Sequence, residues 1–379
     1  MTDINAHLIG IPGGRARLNT PALILDLDAL EANIEALAAR AKTSGIALRP
    51  HAKTHKSAEI ARRQVAAGAL GVCCAKLAEA EALTDAGITN ILITSPVVTE
   101  EALKRLARLN ARTQGLMAVV DDARVLERMG EAIRAQGSKR LTLLMDLDIG
   151  LHRTGIAPGE AAYRLAAAIA AHPALDFKGL QAYAGHVMHI ENEAARREKS
   201  KEGLAQLRAV RDELTRRNLA PEILSGGGTG TFDIDPAENV FTELQAGSYV
   251  FMDRQYNDVW TKDGKSPPFA PSLFIETSVI SANTAGIVTT DAGLKCFATE
   301  AGSPQIIAGA PEGAAYFFFG DEQGGILFAN PGETLAPGRV VTCLTPHCDP
   351  TVNLHDVYHV VRGDTLIAIW PVDARGRCA

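Results

Sequence analysis

The feature that most constrains the fold is an alternation, between residues 47 and 249, of short apolar runs with longer, alanine-rich amphipathic segments. Parallel strands covered on both faces appear as nearly continuous apolar runs, and the helices between them place apolar residues three or four positions apart. The predicted strands are, in order, ALRPHAK, LGVCCAK, NILITS, LMAVVD, LTLLMDLD, FKGLQAYAG, EILSGGG and TELQAGSY. We therefore predict an α/β fold with a (β/α)8 barrel, whose functional rim lies where the strands end.

A second domain is predicted after about residue 255, where the long helical periods stop. Alternating segments such as SLFIETSVISA, GIVTTDAGL, RVVTCLTP and TLIAIWPV follow, separated by glycine and proline turns, which is typical of a β domain. The predicted organisation is an N-terminal segment 1–20 packed with the β domain, a barrel over 21–255, and a C-terminal β domain over 256–379. The strand in ALILDLD, before the first barrel strand, is expected to pair with the β domain.

Composition excludes several classes of protein. A formal charge of −6 in 379 residues offers no excess of positive charge for a nucleic-acid backbone. The six cysteines have no disulfide-framework or zinc-ribbon spacing, and no apolar run reaches the roughly 18 to 20 residues of a membrane helix. We expect a soluble, cytoplasmic protein without a nucleic-acid or membrane partner.

The stretch LRPHAKTHK, residues 48–56, carries the first candidate site residue. Lys53 would end the first barrel strand, with His51 on the same side and Arg49 and Lys56 nearby. Burial and neighbouring cations lower the pKa of a lysine, and its neutral amine can then form a Schiff base with an aldehyde cofactor. Taken alone, the stretch fits a basic surface loop equally well.

A second candidate is SGGGTGT, residues 225–231, at the end of the seventh strand. Successive glycines let backbone N–H groups turn toward one anion, and threonine hydroxyls add donors, so the segment suits a phosphate group; alone, it also suits a flexible turn. Loops after the seventh and eighth strands are where barrels bind phosphate. The predicted phosphate and cofactor contacts here are Gly227, Gly228, Thr229, Gln245, Gly247, Ser248 and Tyr249.

Three further rim residues follow the fifth and sixth strands. Arg153 could neutralise a phenolate or carboxylate, and Tyr183 and His186 could hydrogen-bond to or stack on a flat ring. Each alone has an equally good structural explanation, and their common position at the rim is the argument for function.

A metal site is predicted in TPHCDPTVNLHD of the β domain. In an extended segment His347 and Asp349 would share one face and Cys348 the other, giving a nitrogen and a carboxylate ligand with open positions. The alternative is a proline-bounded turn with a satisfied histidine. His355 and His359 are weaker candidates.

Together these motifs resemble the metal-activated, pyridoxal-phosphate-dependent D-threonine aldolase and 3-hydroxy-D-aspartate aldolase group, whose fold is similar to alanine racemase and D-serine dehydratase. The resemblance runs from about residue 19 to the C-terminus and includes RPHAKTHK, GVCCAK, GLQAY, SGGGTGT, ELQAGSYVFMD, DAGLK and HCDPTVNLHD. It implies that Lys53 is the covalent cofactor lysine, that the glycine-rich loop with Gly247 and Ser248 holds the phosphate, and that His347 and Asp349 bind the metal.

The resemblance also separates relatives from one another. Alanine racemases usually have an arginine opposite the pyridine nitrogen where this chain has Gln245, and a second-domain tyrosine base where it has Leu294, so racemisation is disfavoured. D-serine dehydratases typically have a His-x-Cys metal pair, whereas this chain has His-x-Asp, which favours aldol cleavage. Relatives commonly carry a histidine at the position of Gln323, so the substrate preference is expected to differ within the 3-hydroxy amino acids.

The implied activity is retro-aldol cleavage of D-3-hydroxy amino acids to glycine and an aldehyde. A homodimer is implied as well. The expected cofactors are pyridoxal 5′-phosphate and a divalent metal, with Mn²⁺ as first choice and Mg²⁺, Co²⁺ and Zn²⁺ as alternatives; Lys53 and His347 are the expected catalytic residues. Dehydration to a 2-oxo acid and ammonia, a non-catalytic pyridoxal-phosphate carrier and a metal-only barrel hydrolase are the alternatives.

Overall fold

The computed structural model describes residues 4–137 and 139–379. Its internal contacts divide the chain into two compact units. The barrel unit comprises Leu37–Lys53, Ala58–Gly247 and Arg377–Ala379. The sheet unit comprises the chain up to Ala36, Thr54–Ser57 and Ser248–Gly376.

The strands and helices follow the predicted alternation closely. The strands are β1 (Ala22–Asp26), β2 (Ala47–Leu48), β3 (Val72–Cys74), β4 (Ile91–Ile93), β5 (Met117–Val120), β6 (Leu141–Leu147), β7 (Leu175–Ala182), β8 (Ile223–Gly226), β9 (Glu243–Leu244), β10 (Leu273–Thr284), β11 (Ile287–Thr290), β12 (Gln305–Ala308), β13 (Ala315–Phe318), β14 (Gly324–Leu327), β15 (Val340–Leu344), β16 (Val357–Arg362) and β17 (Thr365–Pro371). The α-helices are α1 (Leu27–Thr43), α2 (Ala58–Ala66), α3 (Leu77–Asp85), α4 (Glu100–Arg112), α5 (Ala123–Ala135), α6 (Glu160–Ala171), α7 (Glu193–Arg216), α8 (Arg254–Thr261) and α9 (Cys348–Val352).

The barrel unit contains an eight-stranded parallel sheet in the order β2-β9-β8-β7-β6-β5-β4-β3. An isolated parallel bridge between His51 and Cys73 joins the two ends of this order. The Leu70 N–H also donates to the Leu48 carbonyl at 2.8 Å. The eight predicted strands and the (β/α)8 fold are thus confirmed.

The interior of the barrel is a packed apolar core. It includes Cys73 of β3, Leu92 of β4, Met117 and Val119 of β5 and Leu144 of β6. These side chains come from four successive strands and pack into one cluster. Complete burial of such a side chain contributes about 1.5–3 kcal/mol relative to exposure.

Helix α4 shows why the segments between strands are helical. Its buried residues Leu103, Leu106, Ala107 and Asn110 recur at intervals of three and one, which places them on one face of a helix. Glutamates in its first turn interact favourably with the positive end of the helix dipole. The apolar face packs inward because burial removes it from water, and most of the charged residues of the helix stay exposed on the opposite face.

The sheet unit is built around β1, the earliest strand of the chain. β1 pairs with β10 in the antiparallel direction and with β16 in the parallel direction. Its residues Ala22 and Ile24 join Phe274, Leu344 and Val361 in the core of this unit. The expectation that this early strand belongs to the β domain is confirmed.

The remaining strands extend the sheet on both sides of β1. The main path runs β13-β14-β11-β10-β1-β16-β17, with β15 paired to β10 and β12 paired to β15. β10 is long enough to pair with β1 at its start and with β11 at its end, where the register shifts between Val279 and Thr284. Within the described residues, none of the helices is long and apolar enough to cross a membrane.

Candidate cofactor and metal sites

Lys53 lies at the carboxyl end of the first barrel strand region, but not on the strand itself. β2 ends at Leu48, the bridge at His51 continues the pairing, and Lys53 sits in the turn that follows. The prediction that Lys53 ends the strand is therefore wrong, because Lys53 lies in the turn after it.

Burial and backbone contacts separate Lys53 from Lys56. Lys53 is half-buried in the barrel unit. Lys56 is buried in the sheet unit, its Nζ lies 3.4 Å from the Ala374 carbonyl oxygen, and its own carbonyl accepts the Ala374 N–H at 3.0 Å. Lys53 is thus the more accessible amine of the pair.

His51 lies beside Lys53 and its proton can be assigned. The Thr94 hydroxyl donates to the Cys74 carbonyl at 3.1 Å, so it must accept from His51 Nε2, which is 3.1 Å away. His51 Nδ1 accepts the Lys53 backbone N–H at 3.4 Å. The proton is therefore on Nε2, and the imidazole holds the backbone of the lysine in place.

Arg49 was expected to act as a cation close to Lys53, and the structure shows what its guanidinium contacts. Its guanidinium forms a two-point ion pair with Glu243, at 2.8 Å and 3.0 Å, and its Nη1 donates to the Asn90 carbonyl at 2.6 Å. Both side chains of the pair are buried. The charge of Arg49 is thus paired with that of Glu243.

Gln245 directly follows β9, and a buried network fixes its amide orientation. The Ser225 hydroxyl donates to Glu243 Oε1 at 2.7 Å, so it can only accept from Gln245 Nε2, at 2.9 Å. The same Nε2 donates to Gln181 Oε1 at 3.2 Å. Both N–H groups of the Gln245 amide are used within the barrel, which leaves its carbonyl oxygen as the group it can offer to a ligand.

This network continues to β6. Gln181 Nε2 donates to Asp146 Oδ1 at 2.9 Å, and the Thr154 hydroxyl donates to Asp146 Oδ2 at 2.8 Å. Burial raises the pKa of Asp146. Asp146 and Glu243 were not predicted. Asp146 is an acid within the apolar strand β6, and that signal could have identified it, whereas Glu243 has the polar neighbours Thr242 and Gln245 and carries no such signal.

The glycine-rich segment forms a buried turn after β8, continued by the 3₁₀ helix Thr229–Thr231. The glycines have packing reasons: a Cβ at Gly228 would lie 2.7 Å from Met188 Sδ, and one at Gly230 only 2.1 Å from the Met188 carbonyl oxygen. Among the described residues, no carbonyl accepts a hydrogen bond from the N–H of Gly228 or of Gly230. Buried N–H groups are almost always paired, so this loop is suited to an anion.

Arg153 and Tyr183 are brought together at the rim, as predicted from their positions. The Arg153 guanidinium carbon lies 5.4 Å from the centre of the Tyr183 ring, within cation–π range. His186 is exposed and faces Gly150, where an added Cβ would lie 3.4 Å from its ring.

Gly247, Ser248 and Tyr249 lie at the junction of the two units in sequence. Gly247 ends the barrel unit, and Ser248 and Tyr249 begin the sheet unit in the 3₁₀ helix Ser248–Val250. Tyr249 is buried, and its ring packs edge-on against Phe269, with 5.5 Å between centres.

The segment with His347 and Asp349 is not extended, and this part of the prediction is wrong. His347 is extended, but α9 begins at Cys348, so Asp349 lies in the first turn of a helix. The Asp349-Pro350 pair explains the start, since an acid and a proline are both favourable in the first turn. His347 and Asp349 are neighbours around a helix N-terminus, not alternate residues of a strand.

Two acids in the sheet unit position this segment and were missed in the sequence. Glu300 Oε1 lies 2.6 Å from His347 Nδ1. Asp253 Oδ2 accepts the Cys348 N–H at 2.8 Å, and its Oδ1 accepts the Tyr256 N–H at 2.9 Å, so one carboxylate caps both α9 and α8. Burial raises the pKa of Asp253 to about 6. Both acids are far from residue 347 in the chain, so no local signal marked them.

The residues present suit the two expected groups. An accessible lysine, a buried loop with two N–H groups that no described carbonyl accepts, and an oriented amide oxygen match the aldehyde, phosphate and ring of pyridoxal phosphate. His347 keeps Nε2 for a metal when Nδ1 is bound to Glu300, and Asp349 adds a carboxylate. Among the described residues, no group of three or more His, Cys, Asp or Glu side chains is arranged to hold a metal, so water or substrate would complete such a site.

Two family models match the chain in succession. The alanine racemase N-terminal domain matches residues 25–255, and the serine dehydratase domain matches residues 272–361. The first match covers more than half of the chain.

Named relatives match nearly the whole chain. A 3-hydroxy-D-aspartate aldolase of Paracoccus denitrificans is 36% identical over 99% of this chain and 98% of its own length, and a D-threonine aldolase of Arthrobacter sp is 40% identical over 95% and 94%. A D-threo-3-hydroxyaspartate dehydratase of Delftia sp. is 30% identical over 62% of each chain. The crystal structure of D-threonine aldolase from Filomicrobium marinum superposes with a TM-score of 0.91, at 38% identity over 96% of this chain and 97% of that one.

These matches and the observed barrel agree with the resemblance found in the sequence. The chain belongs to the family of the alanine racemase N-terminal domain, joined to a serine dehydratase-type domain.

Proposed function

We propose that this protein is a lyase that cleaves D-3-hydroxy amino acids, of the D-threonine or 3-hydroxy-D-aspartate type, to glycine and an aldehyde. The observation that carries the proposal is similarity to aldolases of both names over at least 94% of both chains compared. The dehydratase relative aligns with a smaller part of this chain and at lower identity. Aldol cleavage is therefore better supported than dehydration.

Pyridoxal phosphate is the proposed cofactor, and the barrel unit supplies the residues that hold it. Lys53 forms the covalent bond to its aldehyde, and His51 keeps the backbone of Lys53 in position. The loop at Gly228 and Thr229 receives the phosphate, and Arg153, stacked on Tyr183, supplies positive charge at the rim. When bound, the cofactor supplies an electron sink for the pair of electrons released at Cα.

A divalent metal is proposed at His347 and Asp349, with Mn²⁺ as first choice. Glu300 accepts the His347 Nδ1 proton and so directs the Nε2 lone pair outward. Asp253 holds the N-terminus of α9, which carries Asp349. A bound divalent ion supplies a Lewis acid that lowers the pKa of a coordinated hydroxyl group.

The protein acts in the cytoplasm as a homodimer. Gln323, where relatives commonly have a histidine, shifts the preference among 3-hydroxy amino acids. His347 is both a metal ligand and a catalytic residue.

The test supplies D-threonine and a 3-hydroxy-D-aspartate separately to the protein loaded with pyridoxal phosphate and Mn²⁺, and quantifies glycine against 2-oxo acid plus ammonia. Glycine and an equal amount of aldehyde are expected. If oxo acid predominates with both substrates, the aldolase proposal is wrong and dehydration replaces it. The match to a serine dehydratase domain over residues 272–361 makes dehydration the second candidate.

Two further measurements separate the remaining alternatives. Absorbance near roughly 410–420 nm that borohydride removes is expected for the cofactor on Lys53, and its absence would favour a metal-only hydrolase. Unchanged turnover in a variant with both His347→Ala and Asp349→Ala would show that a metal at these residues has no role in the reaction.

A further inference from the structure

A buried carboxyl group lies directly behind the glycine-rich loop of the barrel unit. Asp235 is 2% exposed and follows this loop in the chain. Its Oδ2 accepts the Thr231 hydroxyl at 2.5 Å, and its Oδ1 accepts the Ser200 hydroxyl at 2.5 Å. Thr231 ends the loop and Ser200 belongs to α7, so one carboxyl group ties the loop to a barrel helix.

The loop rests against this carboxyl group. Gly227 has a φ of +69°, and a Cβ there would lie 2.7 Å from Asp235 Oδ2 and 3.0 Å from Leu244 Cδ2. The space behind the loop is therefore filled by Asp235, and the turn at Gly227 has little room to collapse inward.

The described groups that act on Asp235 do not include a cation that would offset its negative charge. The groups that raise its pKa are burial first and then the carboxylates of Asp233 and Glu238, whereas the Ser200 and Thr231 hydroxyls lower it. Two hydroxyl donors, rather than a cation, are what hold this acid in the interior.

We propose that Asp235 is the positioning residue of the anion-binding loop, residues 225–231, and that its hydrogen bonds to Ser200 and Thr231 keep the Gly228 and Gly230 N–H groups ready for a phosphate group. Asp235 itself does not touch the phosphate. This inference rests on the proposed function, in which that phosphate belongs to pyridoxal phosphate. It predicts a specific loss of phosphate recognition when the carboxyl group is removed.

The experiment compares the affinity of the full-length apoprotein for pyridoxal 5′-phosphate with its affinity for pyridoxal, which lacks the phosphate. Both form the same bond to Lys53, so the ratio of the two affinities isolates the phosphate contribution. Binding is followed by absorbance titration. The thermal unfolding midpoint of each variant is recorded separately, because lost stability alone does not change the ratio.

Asp235→Ala is expected to lower the ratio about tenfold or more, which corresponds to about 1.4 kcal/mol, with pyridoxal affinity within about threefold of wild type. Asp235→Asn keeps the shape and can hydrogen-bond to both hydroxyls, so its ratio stays within about threefold of wild type. Asp233→Ala removes an exposed acid of the same segment and is the matched control, with an unchanged ratio.

An unchanged ratio in Asp235→Ala, or an equal loss of affinity for both compounds, would overturn the proposal. If Asp235→Ala does not fold, Ser200→Ala decides: it removes one of the two anchors, and a ratio lowered about threefold is expected, whereas a wild-type ratio overturns the proposal. A wild-type protein that binds the two compounds equally would instead contradict the proposed cofactor.

Discussion

Gln245 Nε2 donates a hydrogen bond of 2.9 Å to the Ser225 hydroxyl, which in turn donates to Glu243. The carboxylate can only accept, because Arg49 holds it in a two-point ion pair. The direction of every hydrogen bond from Arg49 to the Gln245 amide is therefore fixed. A buried ion pair in the barrel unit thus fixes the orientation of a neutral amide.

Ser225→Ala is expected to destabilise the apoprotein by about 1–2 kcal/mol, since it leaves a buried N–H of Gln245 and an oxygen of Glu243 without their shared partner. Urea unfolding followed by circular dichroism measures the change. Ser44→Ala, at an exposed serine, is the control and should stay within about 0.5 kcal/mol. A loss in Ser225→Ala no larger than in the control would show that the network contributes no stability.

The oriented amide also predicts the state of a bound cofactor. If Gln245 faces the ring nitrogen, as the family resemblance implies, its carbonyl oxygen accepts a hydrogen bond and favours a protonated nitrogen. Nitrogen-15 NMR of protein reconstituted with labelled pyridoxal phosphate should then show a protonated ring nitrogen near neutral pH. A deprotonated nitrogen would mean that Gln245 does not meet the ring in this orientation.

Lys53→Ala is expected to abolish the borohydride-sensitive absorbance near roughly 410–420 nm, because the covalent bond to the cofactor is lost. Lys56→Met is the matched control, since Lys56 is buried and its Nζ is near the Ala374 carbonyl oxygen. It should lower the unfolding midpoint but keep the absorbance. Absorbance retained in Lys53→Ala and lost in Lys56→Met would reverse the assignment.

Glu300→Ala is expected to weaken Mn²⁺ binding about 10–100-fold, because the carboxylate no longer fixes the ring and the tautomer of His347. Titration of the apoprotein with Mn²⁺, followed by electron paramagnetic resonance, measures the affinity without any turnover. Glu300→Gln keeps an acceptor oxygen and should lose less. Glu312→Ala, at an exposed glutamate, should bind as wild type; equal affinities in all four proteins would contradict a positioning role for Glu300.

Asp235 gives a prediction for pH. Burial raises its pKa from 3.8 to about 6, so the folded protein retains a proton that the unfolded chain has lost. The raised pKa therefore adds to the free energy of unfolding. This stabilisation is complete below about pH 4, is lost as the pH rises toward 6, and amounts to up to about 3 kcal/mol.

Asp235→Asn removes that titration, so its stability relative to wild type should rise between about pH 4 and pH 7. Urea unfolding at a series of pH values gives the difference. Asp364→Asn, at an exposed acid that does not act on Asp235, should follow the wild-type curve. A constant difference between Asp235→Asn and wild type over this range would show that Asp235 has an ordinary pKa.

The barrel was predictable because its strands are buried on both faces, which leaves long apolar runs such as LTLLMDLD of β6. β1 was predictable as a strand, and its pairing with the β domain was expected because it precedes the first barrel strand, but its partners β10 and β16 were not predicted. The spacing of apolar residues along the chain is enough to predict which segments are strands.

The site was less predictable, because its contacts join distant segments. Asp253 caps α9 from 95 residues away, and this cap helps a helix start where alternation suggested a strand. Arg49 looked like a free cation until Glu243, 194 residues further on, was seen to neutralise it. Glu300, Asp235 and Ser200 were missed for the same reason, whereas Lys53 and the glycine-rich loop were marked by their own composition.

The position of β1 between β10 and β16 affects how the chain folds while it is being synthesised. β1 is synthesised before both of its neighbours, which begin only at Leu273 and Val357. At about 5–20 residues per second, an apolar strand with two unsatisfied edges waits roughly tens of seconds for its partners. Newly made chains should therefore depend on chaperones that shield β1 until both of its partner strands have been synthesised.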